Sequence, residues 1–283
     1  MNLRRRGCLA IAALFFFISV FSFTTVFAAE KTNALAYKTE LEAKYGMKIS
    51  GEGNLLTGKD AMSYLTAYDK GMNLFTAPFI KELVGVFKKD GVTTSIRFGK
   101  YNDESDEDGS YESDGERAVI ELLVESPYTG KPTMGADPQT ITHEIGHMLY
   151  YGICVKYGEE KFNRDWEELN EGYPYGEWTE DDEEWEEYQY IYVSNYAATD
   201  PSEDFAEIIA YILTDPEHVH EITSDPEGFV MKAKVDFIEK IVKKYFSTFK
   251  GFAAWGYNGI QEKVVPTVPT RPTLPALPAV PAS

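Results

Sequence analysis

The 283-residue sequence predicts an α+β fold, mostly helical, with a small sheet beside an active-site cleft. Three observations predict it. Apolar side chains recur at helical spacing in six separate blocks. The period changes in two places, VTTSIRF (92–98) and AVIELLVE (118–125), which are β-branched runs of strand type. The composition, 43% hydrophobic and 26% charged, is that of a folded globular chain.

The first helical block, ALAYKTELEAKYG, covers 34–46 and stops at Gly46. Two more are predicted near 59–71 and 77–90, the second starting at Pro78 and ending before Gly91. Between the predicted strands lies YNDESDEDGSYESDGE, read as an acidic hairpin loop. Asp106, Asp108 and Gly109 resemble part of a calcium loop. However, Glu104 and Gly115 occupy its first and twelfth positions, and strands flank it where helices belong. Weak calcium binding stays open as an alternative. A loop over 126–136 precedes Asp137-Pro138, a cap followed by a proline at the first helical position. That helix runs to about Tyr157 with Gly158 as its stop. Asp200-Pro201 repeats the start signal for PSEDFAEIIAYIL, and a last amphipathic helix is expected at 227–247.

The two ends read differently. Arg4, Arg5 and Arg6, the apolar run from Leu9 to Phe27 and Ala28 have the form of a secretory signal peptide, residues 1–28, cut near Ala28. An uncleaved membrane anchor is the competing reading, because the run is just long enough to span a bilayer. Either way the working part, 29–262, is expected outside the cytoplasm, secreted or associated with the cell surface. Residues 263–283 carry proline every two or three positions and read as an extended, disordered tail. Cys154 is then the sole cysteine of the cleaved chain and reads as a small buried hydrophobe.

The formal net charge is −19. Residues 159–187 hold 14 acidic side chains against Lys161 and Arg164, a local charge of −12. Such a field repels nucleic acid and anionic membranes. A solvated face is the simplest account of it.

The stretch ITHEIGHMLYYG (141–152) concentrates the chemistry. His143 and His147 lie four apart on one helical face, so both imidazoles can reach one ion. Zn2+ is the default for two imidazoles plus a carboxylate. Glu144 is placed to act as base toward a water in the fourth position. Tyr150 and Ile153 stand where a metzincin needs glycine and histidine, which excludes that class. His218 and His220, in DPEHVHEI, follow a proline turn, form no helical pair and read as surface residues. A carboxylate from the helix after Asp200 is the better third ligand, and Glu203 and Glu207 compete for the role. Glu203 in the first turn also fits a capping box. Glu207, amid Phe205, Ile208 and Ile209, suits a partner that accepts an N–H from a metal-bound imidazole. This assigns Glu203 to the metal and Glu207 behind it, with the exchange of roles still open.

HEIGH together with YAATDPSEDFAEIIAYI resembles the catalytic domain of the anthrax lethal factor family, which includes the bacterial Pro-Pro endopeptidases. The shared pattern is HExxH, then Tyr196, six intervening residues, and Glu203-Asp204-Phe205-Ala206-Glu207. It is strong over 138–158 and 193–213. The resemblance implies a zincin-like metallopeptidase domain in which His143, His147 and Glu203 bind zinc, Glu144 is the base and Glu207 supports a ligand. It also implies that Tyr196 stabilises the oxyanion. The expectation is a secreted, monomeric zinc endopeptidase with protein or peptide substrates; the family resemblance points to proline-containing sites and the acidic segment to basic flanking residues. Two other readings remain: a calcium- or zinc-binding surface adhesion module, and a chain in which zinc is purely structural.

Overall fold

The computed structural model describes residues 33–100, 108–125, 134–176 and 188–257. The expected signal peptide, the proline-rich tail and residues 101–107 of the calcium-like stretch lie outside them. Among the described residues no helix is long and apolar enough to cross a membrane.

The chain opens with a helix over 33–45 (α1), followed by Lys48–Gly51 (β1), Ala61–Met72 (α2) and Ala77–Lys89 (α3). The Thr76 side chain caps α3 by accepting from the Phe79 N–H, and a proline sits in its first turn. Thr93–Lys100 (β2), Gly109–Ser113 (β3) and Arg117–Glu125 (β4) complete a sheet of order β1-β2-β4-β3. β1 and β4 run parallel to β2, and β3 runs antiparallel to β4. In β4 the even-numbered residues Ala118 to Val124 are buried and the odd ones face outward, the alternation of a sheet covered on one side.

The sheet corrects one expectation. The acidic stretch was read as a loop joining two hairpin strands. Instead β2 and β4 are parallel neighbours, which no short hairpin can join. The chain must travel back between them, and β3 is part of that return. Its residues GSYES have weak strand propensity, and it is pairing with β4 that makes them a strand. β1, four residues long, was also not foreseen.

The remaining elements are Pro138–Tyr157 (α4), Glu159–Glu167 (α5), Pro201–Thr214 (α6), Pro216–Ser224 (α7) and Phe229–Tyr245 (α8). α4 is the central post: every residue from Ile141 to Tyr150 is buried. It packs on α2, α3, α5, α6, α8 and the sheet. α5 sends only Phe162 and Trp166 inward, against Phe205 and Phe237, so its own acidic residues form a solvated face; residues 177–187 of the acidic segment lie outside the described residues. α7 corrects the reading of DPEHVHEI as a turn, since Asp215 caps a nine-residue helix through the His218 N–H. Cys154 is buried as expected, and burial pushes its thiol up to about 12.

Candidate metal centre

Two capped helices meet here. Asp137 caps α4 through the Gln139 N–H, and Asp200 caps α6 through the N–H groups of Ser202 and Glu203. With Asp200 already serving as cap, the Glu203 side chain is free of capping duty and turns toward α4. The helices approach closely at Gly146, where an added Cβ would stand 2.8 Å from Ala206 Cα. Glycine at the centre of HEIGH thus sets how near Glu203 comes to His143 and His147.

The imidazole Nε2 atoms of His143 and His147 are 3.0 Å apart. Glu203 Oε2 lies 3.1 Å from the first and 3.2 Å from the second. Three donor atoms at about 2.0–2.1 Å from a tetrahedral zinc stand about 3.3–3.4 Å from one another, so this triangle matches the ion closely. Glu203 Oε2 is also buried without an aligned hydrogen bond, a costly arrangement unless a cation completes it. The donor set of two imidazoles and one carboxylate is of the kind zinc takes. The residues present fit the metal.

Behind the triangle, His143 Nδ1 donates to Glu207 Oε1 at 2.8 Å, and Ser194 Oγ donates to Glu207 Oε2 at 2.7 Å. Ser194 in turn accepts the Ala197 N–H. In this geometry Glu203 faces the two Nε2 atoms, and Glu207 holds the far side of the His143 ring. Burial alone would lower His143, but Glu203 and Glu207 outweigh it and push its pKa up to about 10. Burial likewise opposes ionisation of Glu203, yet its contacts with the two histidines hold it down at about 2.

A cavity of about 210 Å³ opens over the triangle, lined by His143, Glu144, His147, Tyr196, Glu203 and the β3 segment Gly109 to Tyr111, with Tyr151 and Ser202 at its edge. Glu144 is buried at its floor. Tyr196 is 46% exposed, its ring centroid 5.8 Å from that of His143. All six predicted site residues therefore gather at one place, Glu207 just behind the cavity wall. His218 does not join them: its Nε2 bonds to the Val193 carbonyl and it is half-buried, while His220 is exposed.

Sequence reasoning missed the rest. Nothing local marks Ser194. Gly109 lies in the stretch read as a loop, and a Cβ there would meet Glu144 Oε1 at 2.8 Å. Tyr111 and Tyr151 stack at 5.2 Å on the cavity edge. Lys234, fully buried against Asp204, had a signal: it occupies an apolar position in the stripe of α8, beside Val230, Met231, Val235 and Ile238.

Residues 125–250 match the model of a protein family described as "putative zinc-binding metallo-peptidase". The span runs from the end of β4 through α8 and contains every residue of the cluster. The fold resembles the crystal structure of a protein from Bacteroides caccae ATCC 43185, described in the same words. That likeness has a TM-score of 0.50 at 15% identity and covers 77% of this chain and 87% of the other. At that identity it speaks for the fold. No curated protein sequence matches the chain. The comparisons support zinc-binding metallopeptidases as a class and do not single out the lethal factor branch.

Proposed function

We propose that this chain is a secreted zinc endopeptidase of the lethal factor and Pro-Pro endopeptidase kind, cutting extracellular or cell-surface proteins. The observation that carries the reading is the convergence of His143, His147 and Glu203 within 3.0–3.2 Å of one another on the wall of a cavity that also holds Glu144 and Tyr196. Zinc held by those three residues would supply Lewis-acid polarisation of the scissile carbonyl and acidify the attacking water.

The chain's own groups do the rest. The Glu144 carboxylate takes the proton of the attacking water and delivers it to the leaving amine. The Tyr196 hydroxyl, on the solvent side, donates to the oxyanion as charge develops there, a contribution of a few kcal/mol. Glu207 keeps the His143 ring oriented. The β3 edge, Gly109 to Tyr111, offers backbone groups to an extended peptide. Tyr111 and Tyr151 present a flat aromatic wall suited to proline rings, so proline-containing sites are the first substrates to test.

A peptide library read by mass spectrometry, with zinc content measured in parallel, tests the reading. The wild type is expected to cleave and to contain about one zinc per chain. Glu144→Gln is expected to keep the zinc and lose cleavage. A zinc-loaded wild type that cleaves nothing, or an undiminished Glu144→Gln, defeats the peptidase reading. Products without proline at the cut defeat only the proline preference.

A further inference from the structure

The EDFAE segment contains a residue that ligand chemistry does not use. Asp204, between Glu203 and Phe205, points away from the cavity into the protein, where its side chain is 0% exposed. There it meets Lys234 of α8, also 0% exposed, at an Nζ–Oδ2 distance of 2.8 Å. The same ammonium donates to the Ile191 carbonyl at 2.9 Å and sits 4.2 Å from the centre of the Tyr192 ring. Tyr175 donates its hydroxyl to Asp204 Oδ2 at 2.8 Å. Tyr192 in turn donates to the Pro174 carbonyl at 3.0 Å and accepts from Asn170 at 3.1 Å.

Net stability does not account for such a pair. Taking two charges out of water costs several kcal/mol each, and well-packed apolar replacements are often as stable or more so. What the pair supplies is a fixed relation between two pieces of chain. Asp204 belongs to the first turn of α6, next to the third ligand. Ile191 starts the loop that carries Ser194, which holds Glu207, and Tyr196, which stands over the cavity. An ammonium has three donors, and here one goes to each of the two pieces, Asp204 and the Ile191 carbonyl.

We propose that Lys234 is a positioning residue for the candidate active site, clamping the Glu203-bearing turn of α6 to the loop that bears Ser194 and Tyr196. Only the activity arm of its test rests on the peptidase reading.

The test uses the full chain loaded with zinc and the double substitution Lys234→Met with Asp204→Asn, which removes the charges together. Four quantities are compared with wild type: melting temperature, zinc affinity by chelator competition, hydrogen exchange at amides 191–198, and kcat and KM on a cleaved library peptide. The expected result is a folded protein whose kcat falls about tenfold to 100-fold, as small misplacements of reacting groups produce. KM should stay within about twofold, and exchange at 191–198 should quicken. An unchanged kcat in the folded double variant overturns the proposal, as does full recovery of activity with excess zinc. If the double variant does not fold, Lys234→Arg, which keeps a counter-charge for Asp204 but moves the donors, decides: slower turnover and faster exchange support the clamp, and unchanged values overturn it. Should the wild type lack peptidase activity, exchange at 191–198 decides the clamp by itself.

Discussion

Replacing Glu207 by glutamine removes one charge and one acceptor from behind the metal site while keeping its shape. The carboxylate accepts two buried hydrogen bonds, from His143 Nδ1 at 2.8 Å and Ser194 Oγ at 2.7 Å. A glutamine amide has one oxygen, so it can serve only one of these donors, and its NH2 group then faces the other. Ser194 Oγ, which already accepts the Ala197 N–H, can accept from that NH2 through its second lone pair, but its own hydroxyl proton then loses the carboxylate acceptor. Loss of such a partner to a ligating imidazole typically weakens metal binding 10- to 100-fold, or about 1.4–2.8 kcal/mol. Alanine at 207 leaves both donors buried without an acceptor, each costing about 1–3 kcal/mol. The metal-free Glu207→Ala chain is therefore expected to lose about 2–6 kcal/mol of stability as well. Chelator competition measures the zinc dissociation constants, and denaturant titration of the metal-free forms measures stability. A Glu207→Gln dissociation constant within about twofold of wild type, far below the expected 10-fold, would refute the role assigned to this carboxylate.

Gly109→Ala is expected to fold, since Glu144 Oε1, 2.8 Å from the new Cβ, is the end of a flexible side chain. Its movement should lower kcat at retained zinc content, which single-turnover kinetics with metal analysis would detect. Gly146→Ala meets backbone, Ala206 Cα at 2.8 Å and O at 3.0 Å. It should therefore destabilise the chain by about 1–3 kcal/mol and weaken zinc binding, read by melting and chelator competition. Glu82 accepts from the backbone N–H and hydroxyl of both Ser247 and Thr248. Burial opposes its ionisation, but these four bonds hold its pKa below the ordinary 4.5. A depressed folded-state value means its stabilisation is present above pH 4.5 and is lost as pH falls through the folded value. Glu82→Gln should accordingly melt lower at pH 7, with the difference narrowing toward pH 3; an equal gap at both pH values would count against the linkage.

The sequence by itself determined what depends on local spacing. Two histidines four apart on a helix share a face whatever surrounds them, so HEIGH by itself marks His143, His147 and Glu144 as candidates for two ligands and a base. The caps Asp137 and Asp200 with their prolines placed both motif helices, whereas Tyr196 was singled out only by the family resemblance. Apolar periodicity marked α1 to α4, α6 and α8. Tertiary structure decided what depends on meeting across the chain. Glu203 and Glu207 share a helical face, and only the close approach at Gly146 and Ala206 made one a triangle vertex and the other the brace of His143. β3 is a strand because β2 and β4 run parallel and the chain must return between them, a constraint invisible in the residues GSYES. Ser194, Gly109 and Lys234 act through contacts with residues 13, 35 and 30 positions away (207 from 194, 144 from 109, 204 from 234), and no periodicity encodes such a distance.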